Sequence, residues 1–140
     1  MEIPNPIEFV RQHPTMFTGS EFPSADQIWG DVATGAALIT GGLVSIVHEC
    51  GWYFVASKAN WIGTGTKRDV FTEIVPFPER GRNAFRPEIM VTAFATAAVV
   101  SQCGVLRNVV GLSPPNESAA CSEITSTFDI WLAFTLIRRD

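Results

Sequence analysis

The chain has 140 residues, of which 46 % are hydrophobic and 17 % charged. That length suits one domain spanning 1–140, and the composition excludes an intrinsically disordered chain. The net charge of −4 disfavours a dedicated nucleic-acid binder. The three cysteines, Cys50, Cys103 and Cys121, are too scattered for a disulfide framework or a zinc motif. They read as free thiols in a reducing, cytoplasmic compartment.

In chain order, residues 7–13 form a short helix or turn that Pro14 stops. The first residues lack a basic stretch followed by an apolar core, so they are not a signal peptide. Ser24-Ala-Asp-Gln27 is a capping box: the Ser hydroxyl accepts from the Gln27 N–H, and the Gln side chain reaches back. A helix over about 25–40 follows, with Ile28, Val32, Gly35, Ala36 and Ile39 on one face. Gly41-Gly42 end it, because glycine accepts the left-handed conformation after a helix. Residues 43–49 and 52–57 are rich in β-branched and aromatic side chains, and the Cys50-Gly51 link makes them a hairpin. Residues 59–69 read as a loop, 70–75 as a short strand and 79–86 as a polar connector.

Pro87 suits the first turn of a second helix. Ile89, Met90, Ala93, Phe94, Ala97, Val100 and Ser101 mark one of its faces, and Gly104 ends it. Residues 105–112 form a strand and 113–117 a turn. Residues 127–137 alternate: Phe128, Ile130, Leu132, Phe134 and Leu136 point one way, Asp129, Trp131, Ala133 and Thr135 the other, as in a half-buried strand. The uncharged runs 32–47 and 89–106 carry Gly, Ser and Thr and fall short of the ~20 apolar residues of a membrane span. The expected architecture is α+β, a two-layer sandwich with helices on one face of a mostly antiparallel sheet.

Residues 7–20 go beyond pattern. Glu8, Val10, Arg11, Pro14, Met16, Phe17 and Gly19 match the spacing of acidic residue, Val-Arg, Pro, Met, aromatic and Gly that opens the ATPase domain of the DNA gyrase B subunit and its type II topoisomerase relatives. The segment resembles that family. Ala97-Ala-Val-Val-Ser101 also resembles the tail of the corresponding gyrase helix. The resemblance implies a Bergerat-type ATP-binding fold, with the elements in the same order.

The catalytic motifs implied by that resemblance are lost. Asp31 stands at the position of the acidic general base. Gly35 stands where the family has its Mg²⁺-holding Asn, and glycine offers no side-chain oxygen to a hard cation. Ser57 replaces the Asp that accepts from the adenine amino group, and Ala59 and Trp61 replace the glycines that follow. A Trp at that point fills a pocket rather than lining it. Residues 91–96, at the place of the phosphate-wrapping lid, contain no glycine.

Other candidates have plain structural readings. His48 and Cys50 flank the hairpin turn, but two ligands do not make a metal site. Gly63-Thr-Gly65-Thr-Lys67-Arg68 is phosphate-like text without the spacing of a phosphate loop. Arg80, Arg82 and Arg86 could contact an anion, with Glu79 and Glu88 neutralising part of the cluster. The four tryptophans and ten phenylalanines are a large aromatic load. If helices cover one face of the sheet only, Trp131 and Tyr53 are exposed and mark an interface. The expectation is a non-catalytic, gyrase-B-like domain acting through protein–protein contact or self-association. It needs no cofactor or metal, does not enter a membrane and does not bind nucleic acid. The alternative is a nucleotide- or small-ligand-binding domain with a rebuilt pocket, including a divergent ATPase.

Overall fold

A computed structural model describes residues 5–19, 21, 23–49, 51–82, 84–102, 105–111 and 127–135. The elements run α1 (Pro6–Gln12), α2 (Pro14–Thr18), α3 (Ala25–Thr40), β1 (Ser45–Glu49), β2 (Trp52–Ser57), α4 (Glu88–Phe94), β3 (Ala97–Gln102), β4 (Val105–Val110) and β5 (Ile130–Thr135). The turn expected at 113–117, the three thiols and residues 136–137 of the last strand lie outside the described residues, and residues 127–129, expected in that strand, precede it.

Helix α3 starts where its capping chemistry places it. The Ser24 hydroxyl accepts from the Gln27 N–H at 3.1 Å, which satisfies a backbone donor that has no partner within the helix. Gly41 closes the helix at φ +79, a backbone state that L side chains resist. Its buried stripe is Ile28, Val32, Gly35 and Ala36. The hairpin also forms as expected: Val47 pairs with Phe54 and Glu49 with Trp52. Gly51 takes φ +81 between them.

The five-stranded sheet has the order β1-β2-β5-β3-β4, and every pairing is antiparallel. Directly opposed residues share a face. Val55 opposes Leu132 and Tyr53 opposes Phe134 on one face, whereas Phe54 opposes Ala133 and Ala56 opposes Trp131 on the other. On the first face, Val55, Ala98, Val100, Leu132 and Phe134 merge with Val10 of α1, Ile28 and Val32 of α3, and Ile89 of α4 into one core. Burying a side chain such as Leu132 stabilises the fold by ~1.5–3 kcal/mol. On the opposite face Trp52, Phe54, Ala56, Ala97, Val99, Trp131 and Ala133 form a second cluster with no described helix in it. The chain is thus α+β, with its described helices on one face of the sheet.

Three expectations need correction. The helix begun at Pro87 stops at Phe94, and Ala97–Gln102 is a strand. That strand lies between β5 and β4, with Ala97, Ala98, Val99, Val100 and Ser101 all buried. A strand buried on both faces loses its alternation, so the Ala-Val run carries no period that separates it from a buried helix. Residues 70–75 form turns rather than a strand. There the Asp69 carboxylate accepts from the Phe71 N–H at 3.1 Å, while Val70, Phe71 and Val75 still enter the core. Finally, Trp131 is 6 % exposed, because the face it occupies is itself buried. No helix among the described residues is long and apolar enough to cross a membrane.

Candidate functional site

Residues 6–18 form α1 and α2, and they act mainly on one another and on α4. Asn5 accepts from the Glu8 N–H at 3.1 Å and caps α1. Val10 is fully buried. The Arg11 Nε donates to the Ala93 carbonyl at 2.8 Å, in the last turn of α4. That is where helical carbonyls lack intrahelical partners and a cation is favoured. Glu8 holds the other end of the guanidinium at 3.4 Å. Pro14 opens α2, and Gly19 caps it at φ +78. Phe17 is 9 % exposed and packs on Phe85 with ring centroids 4.6 Å apart. Met16, by contrast, is 61 % exposed.

Of the positions assigned by resemblance to nucleotide chemistry, Gly35, Ser57 and Trp61 are buried and Asp31 is half-buried. A strap made by residues 75–82 and 84–86 lies directly on α3. The Phe77 N–H donates to the Ala84 carbonyl at 2.9 Å and the Arg86 N–H to the Val75 carbonyl at 2.8 Å, which fold the strap back on itself. A Cβ built on Gly35 would stand 3.2 Å from the Phe77 ring and 3.4 Å from the Pro87 ring. The space beside Gly35 is therefore filled by the strap. The buried Ser57 hydroxyl donates to the Leu43 carbonyl at 2.7 Å and accepts from the Ala59 N–H at 3.0 Å. Both of its bonds are thus internal. Trp61 is fully buried, and its indole N–H has no hydrogen-bond partner among the described residues.

Asp31 alone of these positions faces open space. It accepts from the Arg80 Nη2 at 3.2 Å, with the two side chains 25 % and 32 % exposed. The pair sits on a cleft of about 220 Å³ lined also by Met16, Phe17, Phe85 and Met90. Sequence reading placed Arg80 in an anion-binding cluster but missed its partner. The two are 49 positions apart, and only the fold-back of the strap joins them.

The rest of that arginine cluster does not act together. Arg86 is 5 % exposed. Its Nη2 donates to the Thr64 carbonyl, its guanidinium lies 4.8 Å from the Phe77 ring centroid, and its Nε and Nη1 have no partner among the described residues. Glu88 is 2 % exposed. Burial pushes its carboxyl up to about 7, against the opposing pull of its own backbone N–H and of the Arg86 charge. The phosphate-like loop is tied by its own contacts: Arg68 pairs with Glu73 at 3.0 Å. Arg107 of β4 grips Asp69 at 2.7 and 3.4 Å. Burial pulls the Asp69 carboxyl upward, but the Arg107 fork and the Phe71 N–H outweigh it and leave it below its ordinary value.

Tyr53 and Trp131, paired in the interface expectation, lie on opposite faces of the sheet. Tyr53 is half-buried and stacks on His48 with centroids 3.9 Å apart and on Phe134 at 5.4 Å. Burial, helped by the Asp26 charge, pushes its phenol upward. His48 is exposed, and the described residues hold no group of three or more His, Cys, Asp or Glu able to hold a metal ion. No protein-family model matches the chain, and no curated protein matches it.

Proposed function

We propose that the chain is a non-catalytic relative of the gyrase-type ATPase domain that acts through protein–protein contact or self-association. The observation that carries this reading is the strap packed on α3. Phe77 and Pro87 occupy the space beside Gly35, where the resemblance would put a magnesium-bound phosphate. The internal hydrogen bonds of Ser57 and the complete burial of Trp61 point the same way.

The contact half of the reading is supported by the sheet's two ends. Strands β1 and β4 are its outer strands, and each presents large apolar side chains: Ile46 is 50 % exposed, Val105 69 % and Leu106 57 %. An outer strand with unpaired backbone groups and apolar side chains is a template for a further strand. The purified chain is expected to show no ATP turnover, and millimolar Mg-ATP should move its Tm by less than ~1 °C. A rise of several degrees would overturn the proposal, since a ligand must stabilise the state it binds. The contact half is checked by sedimentation velocity over a concentration series with a Leu106→Lys variant. Association that this variant weakens is the expected result. A monomer at every concentration would remove self-association and leave only a different protein as partner.

A further inference from the structure

The cleft beside Asp31 combines opposite charges with apolar side chains in its lining. Among the described residues, the single contact between Arg80 Nη2 and Asp31 Oδ1 is the one hydrogen bond that either side chain makes. One carboxylate oxygen and most of the guanidinium fork therefore remain available. Both groups are only partly exposed. Phe17, Phe85 and Met90 line the same cleft, and the two rings meet at a tilt of 43°. At its mouth stands Met16, 61 % exposed, a flexible side chain that adapts to what it covers.

Size and charge together select the occupant. The volume of about 220 Å³ lies below the ~300–1,000 Å³ typical of drug-sized ligand sites, so a nucleotide is too large. A simple anion would face Asp31, and a simple cation would face Arg80. A neutral apolar molecule would strip water from both charges and return no hydrogen bond, which is costly. A small zwitterion with an apolar body meets every surface. Its ammonium reaches the free oxygen of Asp31, its carboxylate reaches the free nitrogens of Arg80, and its side chain meets the apolar lining. Both polar contacts are charge-assisted, the stronger class of hydrogen bond.

We propose that this cleft binds a free α-amino acid with an apolar side chain, held between Asp31 and Arg80. The proposal does not depend on the loss of ATP chemistry or on self-association.

The test is thermal melting and calorimetric titration of the full chain with L-phenylalanine and L-leucine. Phenethylamine, which lacks the carboxylate, and 3-phenylpropanoate, which lacks the ammonium, serve as comparators. The expected result is a saturable rise of ~1–3 °C in Tm with at least one amino acid at millimolar concentration, and affinity at least tenfold weaker for both comparators. Asp31→Asn and Arg80→Gln should each abolish the shift, while Glu73→Gln, which breaks the separate Arg68–Glu73 pair, should keep it. The melts without ligand show whether each variant is folded. A Phe85→Ala variant, which removes part of the apolar lining and leaves both charges, should weaken binding in its own right. Three outcomes would each overturn the proposal: no shift with either amino acid, an equal shift with a singly charged comparator, or a shift that survives both charge variants.

Discussion

Arg80 and Arg86 lie on the same strap, and each has a carboxylate as its nearest charge of opposite sign, yet their surroundings differ completely. Arg80 reaches Asp31 at 3.2 Å, where both side chains still meet water. Arg86 is buried with two nitrogens that have no partner among the described residues, near a Glu88 whose Oε1 has none there either. The first pair can be rearranged at little cost, because water screens it and can replace it. Arg86 cannot, because its buried guanidinium is fixed between the Thr64 carbonyl and the Phe77 ring. A site meant to exchange ligands is built from the first kind of pair. The second kind holds the strap down on the loop at Thr64.

Substitution at Arg86 should give the largest effect. Arg86→Met at pH 8 removes the charge that opposes the upward push on Glu88, so folding must protonate a buried carboxyl, and is expected to cost ~3 kcal/mol or more, a fall in Tm on the order of 10 °C. Adding Glu88→Gln to it should recover most of the loss. A double variant no more stable than the single one would break the contrast between the two arginines.

Next comes the pH dependence. The Glu88 carboxyl rises from 4.5 to about 7 on folding, so between those values the folded state holds a proton that the unfolded state has released. Stability therefore falls as pH rises through that window, by about 3 kcal/mol from this group. Denaturant melts of the wild type and of Glu88→Gln across pH 4.5 to 8 isolate the term as their difference. A flat difference would place Glu88 in water.

The smallest effect belongs to the cleft. Asp31→Asn or Arg80→Gln should each cost less than ~1 kcal/mol, and less still at high salt. A loss as large as that of Arg86→Met would mean that the exposed pair holds the strap as firmly as the buried one.

The contrast also marks how far the sequence could be read. Helix α3, the hairpin and β4 were legible because each carries local chemistry. Ser24 and Gly41 bound α3, and Gly51 sits in the hairpin turn. Strand β5 was legible from its alternation, but the alternation misled about Trp131. It shows that successive side chains face opposite ways, and nothing in it says whether the second face is wet. Strand β3 was read as helix because Ala97-Ala-Val-Val suits either element when all sides are buried, and only its pairing with β4 and β5 decides. Of the candidate positions, Trp61 is buried, as suits a large apolar ring. The roles of Phe77 and Pro87 were not legible, since the strap's path over Gly35 is a long-range packing event. Nor was the partnership of Asp31 with Arg80, which requires the same path.

One feature of the sheet bears on how such a chain matures. Among its described strands, β5 comes last in sequence yet sits at the centre, between β2 and β3. During synthesis on the ribosome, the hairpin and the β3–β4 pair emerge earlier and have no strand to join them until β5 arrives. Insertion of β5 between them is therefore a long-range closure, the kind of step that slows folding.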